Sequence, residues 1–567
     1  MLKHQAGLWL AWAFFETMRL VWLNIQSSYS HSSLALPLLA NACANVSGWE
    51  WERVDGVLGD DPFEVARQVV AKEPDLVCAS LYLFNRDLTL DILKRVKRLK
   101  PNVRIAVGGP ENLGDGALTL LQTTSCVDFA CRGEGEPIMP VLLERLKNGD
   151  DMAGVPGLLY RLADGAVADN GQSGLATDWA ASPMPCRHSF FEFGKPFVQL
   201  ETSRGCPMGC TYCTSCRTNV RLRSLEHVRE ELVHLRDCGV KEVRLLDRTF
   251  NVPDSRGAAL LRMFREEFSE MRFHLEIHPG VLGEEVRAEL LKAPQGLLHI
   301  ESGIQTLSHK SLAAVGRSTD TDSALEGLTF LVGIKSFETH CDLLTGLPEQ
   351  TLDDVVSDAE RLIGIGPGEV QMEVLKVLPG TKLRQEAAER GIIFSQEPPY
   401  DVMATPTMDT EDMRHCRHLS KILDRFHNTA PLRKTFRTSV LEKNDLLKTF
   451  LSWCETREAE TLSQPLGLRR RFELLDDFLH EADCYKALDE LAIAWMTEAF
   501  PTGRGPGLRA SLVHDIPAEA ECIWGDAAHL QREGTRLWQL PLEDRTMVFA
   551  YNRAIVPNHA VAVYRKR

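Results

Sequence analysis

Two long stretches of this chain alternate short apolar runs with segments of helical periodicity, and that alternation is the strongest constraint on its fold. In the first, Leu20–Ile25, Trp49–Val54, Leu76–Leu81, Val103–Val107 and Phe129–Cys131 are apolar, with helical spacing beginning near Ser33, Pro62 and Leu88. Buried strands joined by helices call for a parallel sheet, because each helix returns the chain to the same edge, so residues 18–150 read as a doubly wound α/β domain. Gly, Ala, Ser and Pro then concentrate between Asp164 and Pro185, and residues 151–195 read as a linker. The alternation resumes with Phe197–Glu201, Val243–Leu246, Phe273–Ile277, Leu297–Ile300, His340–Leu344 and Val370–Leu378. Six such units over 196–400 suit a partial parallel β/α barrel. From 401 to 567 the pattern changes to long helical spacing, over Asp409–His427, Ala430–Glu455 and Leu468–Phe500, with strand-like Met547–Tyr551 and Val561–Tyr564 near the end. The expected class is therefore α/β, with a mainly helical C-terminal domain.

Composition narrows the function. With 567 residues and 44% hydrophobic content the chain can bury several cores, and the formal charge of -15 argues against nucleic acid or an anionic membrane as a general partner. Fifteen cysteines, an odd number, with no cleavable export signal, point to reduced thiols and a cytoplasmic location. Residues 1–17 read as an N-terminal extension, either a short extra helix or an over-extended translation start. Its apolar run Gly7–Phe15 is broken by Glu16 and Arg19, far short of the roughly 20 residues that span a membrane.

Three thiols stand at Cys206, Cys210 and Cys213 with spacing C-x3-C-x2-C, just after the first barrel strand, at the strand end where barrel chemistry collects. Structural zinc and iron–sulfur clusters normally take four protein ligands, so a trio means either a missing ligand or a cluster with one open iron. Cys216 could complete a zinc knuckle, since Cys213 and Cys216 also have C-x2-C spacing.

The cysteine run, with Tyr212 before its last thiol, resembles the motif of the radical S-adenosylmethionine (SAM) superfamily. The resemblance implies a [4Fe–4S] cluster held by Cys206, Cys210 and Cys213, with SAM chelating the open iron. It extends along successive strand ends. Glu276 matches a position that accepts from the methionine ammonium, Arg317 one that pairs with the methionine carboxylate, and Gln305 and Asp342 positions that bond the ribose. Taken singly, these four read equally as strand-end acids, a turn cap and a surface arginine. The chain departs from the family after the second strand, where Leu245–Asn251 stands in place of a Gly-Gly-Glu sequence.

In a doubly wound sheet a ligand sits beyond the carboxyl ends of the strands, and here four loops converge there: Gln26–Ser33, Tyr82–Arg86, Gly108–Asn112 and Arg132–Glu136. Gly108, Gly109, Gly133 and Gly135 would let backbone approach a bulky ligand, or serve as ordinary turn glycines. Together with Glu134 they resemble the cobalamin (B12) domain of cobalamin-binding radical SAM proteins, in a branch with its own C-terminal domain. The D-x-H-x-x-G motif that places histidine below cobalt is absent from residues 19–150. His31 is the histidine nearest the right place, and Tyr82, Asn85 and Arg86 are further candidates to face the corrin. The resemblance implies an enzyme that methylates an unactivated carbon through a 5′-deoxyadenosyl radical and methylcobalamin. Cyclisation, rearrangement or oxidation is the alternative, and a non-catalytic cobalamin or redox sensor is the alternative of another class. The implied partners are a small-molecule or peptide substrate and an electron donor such as flavodoxin or ferredoxin.

Overall fold

The computed structural model describes residues 17–498 except 175, 318 and 319, and beyond these 506, 509–517, 519–525, 535–552, 555, 556 and 559–566. The extension expected over 1–17 lies, but for Thr17, outside the described residues.

The first sheet holds β1 (Met18–Gln26), β2 (Trp49–Val57), β3 (Leu76–Ser80), β4 (Arg104–Gly108) and β5 (Phe129–Cys131) in the order β2-β1-β3-β4-β5. All neighbours among these five are parallel. Along β1, Val21, Leu23 and Ile25 join one apolar cluster and Leu20 and Trp22 another. Both faces are therefore covered, which is why the strands read as continuous apolar runs.

Residues 151–195 are more than the expected linker. They supply β6 (Leu158–Arg161) and β7 (Val167–Asp169), an antiparallel pair that extends the first sheet from β5. The hairpin turns at Asp164-Gly165, where Gly165 has φ +88° and the Asp164 carboxylate accepts from Ala166 N at 2.9 Å. Asp-Gly between short strands is a hairpin signal, here masked by polar edge residues such as Arg161 and Asp169.

The second sheet begins with β8 (Val198–Leu200). A two-residue ribbon follows, β9 (Ser203–Arg204) antiparallel to β10 (Arg221–Leu222), and it brackets the cysteine run. Then come β11 (Glu242–Leu245), β12 (Arg272–Ile277), β13 (Leu298–Gln305), β14 (Glu338–Thr345) and β15 (Glu369–Val374). The order β8-β11-β12-β13-β14-β15 is parallel throughout, an open barrel. Along β13, Leu298, Ile300 and Ile304 are buried against the covering helices, while His299, Glu301, Gly303 and Gln305 alternate onto the opposite face. Period-2 alternation thus delivers the polar set of each strand to one interior.

The helices Thr410–Ile422, Ala430–Glu442, Leu446–Arg457, Leu468–Glu481 and Tyr485–Thr497 share one apolar core with the last barrel strands, joining Val370 and Met372 to Leu419, Phe426 and Phe436. Asn428 also pairs with the free edge of β15, its Oδ1 accepting from Val370 N at 2.9 Å and its Nδ2 donating to Val370 O at 3.1 Å. These helices cap the barrel's edge. A five-stranded antiparallel sheet follows them, so the C-terminal part is helical first and β last. Among the described residues no helix is long and apolar enough to cross a membrane.

Candidate functional site

The cysteine run is pinned to the barrel by backbone on both sides. Thr211 N donates to Val315 O at 2.9 Å, and Leu383 N donates to Thr211 O at 2.9 Å. Gly209 lies so close to the turn after the helix His309–Ala314 that a Cβ there would stand 2.6 Å from Gly316 O, so no side chain fits between the two loops. That approach brings Arg317 to the thiols: its Nη1 donates to Cys210 Sγ at 3.5 Å and its Nη2 to Gly303 O at 2.6 Å. Cys206 Sγ lies 3.4 Å from Thr249 Oγ1.

Cys206, Cys210 and Cys213 line a cavity of about 300 Å³ together with Glu276, Gln305, Arg317 and Asp342. All seven positions singled out in the barrel therefore share one space. Among the described residues, no three His, Cys, Asp or Glu side chains gather tightly enough to hold a single metal ion. The three thiols would suit a cluster that leaves one iron open, with Cys216 as the alternative fourth ligand. Cys216 lines the same cavity.

A β-bulge between Gly303 and Gln305 turns the end of β13 inward, with Gln305 at φ +72°. Burial pushes the Glu276 carboxyl up to about 7, with Glu301, Asp342 and Asp247 adding repulsion and Arg248 partly offsetting it. Burial and Glu301 likewise raise Asp342, against the pull of His340. Glu301 is held low by His274, whose Nε2 lies 2.9 Å from Glu301 Oε2. His278 is driven down to about 3 by burial and by Arg317, so its imidazole is neutral. Asp247 accepts from Thr202 N at 2.8 Å and Ser203 N at 3.1 Å, and Asn251 donates to His278 O at 3.0 Å. The segment that replaces Gly-Gly-Glu thus buttresses the entry and exit of its neighbours through side chains.

A second cavity, of about 620 Å³, opens between the first sheet and the barrel. His31, Gly108, Gly109, Gly133, Glu134 and Gly135 all line it, as do Tyr82 and Asn85. Gly108 has open space where a side chain would be, the nearest atom to an added Cβ being Cys131 Cβ at 3.8 Å; at Gly109, with φ +97°, an added Cβ would stand 2.5 Å from Leu81 O. The loop is shaped for close approach of a ligand to backbone, and the floor is apolar, with Trp22, Leu38 and Met139. His31 Nδ1 lies 2.8 Å from Ser28 Oγ, and its ring packs edge-on against Phe197. Asn85 spends its amide on Ile25 O and Ser80 O, which shapes the loop and leaves it little for a ligand. Arg86 faces away: it lines a different cleft with Glu111, its Nε 3.6 Å from Glu111 Oε2.

Glu134 serves the interface between the sheets. Burial alone would raise it, but Arg221, Thr177 and Arg204 hold the carboxyl down at about 2. Ser215 and Arg248 line both cavities and mark where they meet. Neither was evident from sequence, although Arg248 stands in the segment that departs from the family pattern. No residue of the C-terminal helices lines either cavity.

Comparison with known proteins agrees with this geometry. The family model of the radical SAM superfamily matches residues 200–362, that of the B12 binding domain matches 21–143, and a protein family of unknown function, DUF4080, matches 388–496. The chain is 25% identical over 355 residues to an uncharacterized methyltransferase of Pyrococcus horikoshii, a match spanning 60% of this chain and 76% of the relative. It is 25% identical over 273 residues to the hopanoid C-3 methylase of Methylococcus capsulatus, across 47% of this chain and 52% of that protein. In fold it is similar to the radical SAM methyltransferase TsrM of Kitasatospora setae, solved with cobalamin and a [4Fe–4S] cluster, with TM-score 0.55 and 19% identity over 67% of this chain and 78% of that one. The chain thus carries a B12-binding domain followed by a radical SAM domain and a DUF4080 region.

Proposed function

We propose that this protein methylates an unactivated carbon of a small-molecule or peptide substrate, held where the two cavities meet. The observation that carries this reading is the sharing of Ser215 and Arg248 by both cavities, because the two chemistries must act on one substrate atom. When bound, the cluster with SAM supplies hydrogen abstraction, and cobalamin supplies the methyl group.

The chain's own residues bind, orient and exclude water. Cys206, Cys210 and Cys213 would hold the cluster and leave one iron free. Glu276, deprotonated by the approach of an ammonium, would accept from the methionine end of SAM, and Arg317 would face its carboxylate from beside Cys210. Gln305 and Asp342 would take the ribose. A cavity with several carboxylates and raised Glu276 and Asp342 favours a ligand carrying positive charge, which SAM does at both nitrogen and sulfur. On the other side Gly108 and Gly133 would admit a corrin edge over the apolar floor, and His31 and Glu134 would border it. An electron donor such as a flavodoxin or ferredoxin, and the cytoplasm as location, complete the reading.

The test is anaerobic reconstitution of the full chain with iron, sulfide and cobalamin, followed by reduction with SAM carrying a labelled methyl group. Formation of 5′-deoxyadenosine together with S-adenosylhomocysteine supports the reading. Deoxyadenosine alone, with labelled methyl never leaving SAM, would replace methylation by rearrangement or oxidation.

A further inference from the structure

Arg204 stands two residues before Cys206, at the end of the ribbon that brackets the cysteine run. Its guanidinium does not face the cluster cavity; it lines the larger one and reaches into the glycine-rich loop of the first domain. Nη1 lies 2.8 Å from Glu136 Oε1 and 3.6 Å from Glu134 Oε2, and Nε and Nη2 each donate to Glu201 Oε2 at 3.0 Å. Its flat face covers Trp179 at 4.0 Å from the ring centroid, and Arg223 also lies 4.0 Å from the same ring. Directly opposite Arg204 in the ribbon is Arg221. It donates to both oxygens of Glu134, and its Nη1 also donates to Thr177 O at 2.8 Å, while Thr177 N donates to Glu134 Oε2 at 2.7 Å.

Each strand of a two-residue ribbon thus sends one arginine across the domain boundary, and the two arginines grip the two acids of Gly133-Glu-Gly-Glu136. The acids sit on the loop that borders one cavity, and the ribbon carries the loop that borders the other. Arg204 is only 14% exposed and Glu136 11%, so the pair is shielded from the screening that weakens surface ion pairs. A planar guanidinium held by three carboxylates and an indole has little freedom to move.

Resting on the functional reading above, we infer that Arg204, with Arg221, is a positioning residue that fixes the distance between the cobalamin-bearing loop and the cluster-bearing loop. The clamp makes the spacing of the two cofactors a property of the protein and independent of which substrate is present. Loss of the clamp should loosen both loops together and leave each cofactor's own ligands in place.

The test uses the full chain with Arg204→Leu, Arg204→Lys and the near-isosteric Glu136→Gln, and Tyr400→Phe as a control that breaks a different contact between the domains, Tyr400 to Glu111 at 2.7 Å. In cofactor-free protein, amide hydrogen exchange is read in residues 132–136 and 205–220. Glu136→Gln should speed exchange across 205–220, and Arg204→Leu across 132–136, each by about tenfold, the effect of losing a charge-assisted hydrogen bond, with Lys between and the control unchanged. Exchange that changes only beside the substituted residue overturns the clamp. In reconstituted protein, pulsed electron paramagnetic resonance reads the distance between reduced cluster and cob(II)alamin. Arg204→Leu should broaden that distance distribution, which is read only from molecules carrying both centres; a distribution as narrow as wild type overturns the inference. If wild-type protein takes up no cobalamin, the functional reading falls, and the exchange measurement still decides the clamp.

Discussion

The two cavities differ in what lines them. The barrel cavity, about 300 Å³, is lined by polar and charged side chains, among them Glu276, Gln305 and Asp342 from the ends of β12, β13 and β14, and is the one proposed for SAM. The cavity between the sheets, about 620 Å³, presents glycine backbone and an apolar floor, and is the one proposed for the corrin. One recognises by charge and the other by shape, so they should fail differently when altered.

The sharpest contrast comes from the thiols. Cys206→Ala, Cys210→Ala or Cys213→Ala should abolish bound iron and sulfide and all deoxyadenosine formation while cobalamin uptake persists, and Cys216→Ala should keep iron and sulfide at the wild-type level. Loss of the cluster in Cys216→Ala would make Cys216 a fourth ligand and overturn the assignment of an open iron. Next is Arg317→Ala. Removing one partner of a buried charge-assisted contact should weaken SAM binding by about 100-fold, measured by equilibrium dialysis on the clustered protein.

Glu276 separates binding from stability. Its carboxyl lies at about 7 in the SAM-free protein because burial disfavours the charge, whereas an ammonium needs the charged form. SAM affinity should therefore rise with pH up to about 7 and fall about tenfold per unit below it. The sign for the empty fold is opposite: a carboxyl raised on folding destabilises as pH climbs from its ordinary range through about 7. Glu276→Gln should thus weaken SAM binding by about tenfold or more, remove the pH dependence, and leave the melting temperature of the empty protein at pH 8 equal or higher. A lower melting temperature would mean that the carboxylate is structurally paired.

The smallest effects belong to the shape-based cavity, and a pair of glycines distinguishes ligand contact from backbone strain. Gly108→Ala meets no atom closer than 3.8 Å in the empty protein, so stability should hold while cobalamin affinity drops. Gly109→Ala must bear φ +97° and a clash with Leu81 O, and should cost about 1–3 kcal/mol of stability in denaturant titration before any ligand is added. Equal cobalamin binding in Gly108→Ala would place the corrin elsewhere in the cavity.

The same contrast governs what could be seen in the sequence. Glu276, Gln305 and Asp342 were singled out by their resemblance to radical SAM positions at strand ends, which a barrel gathers on one side, and Arg317 by its place beyond the helix His309–Ala314 that follows β13. The glycine loops were legible as loops, but not the partner of Glu134: the carboxylate that borders the cavity is held by Arg221, 87 residues away. Arg86 was expected at the cavity and turns instead toward Glu111, because helix Arg86–Leu99 starts there and directs its first side chain outward. The β6–β7 hairpin was hidden because edge strands with one polar face lack the continuous apolar run that marks a central strand.

By itself the sequence determined the two parallel sheets, the thiol trio and the order of the polar residues along the barrel, since periodicity and motif spacing are local and survive without knowledge of the fold. Only the tertiary structure decided that the two cavities share Ser215 and Arg248, that the C-terminal helices cover the edge of β15, and that Arg204 and Arg221 tie one loop to the other. Those are relations between segments far apart in the chain, set by how two separately legible sheets pack, and no local pattern encodes the packing of one against the other.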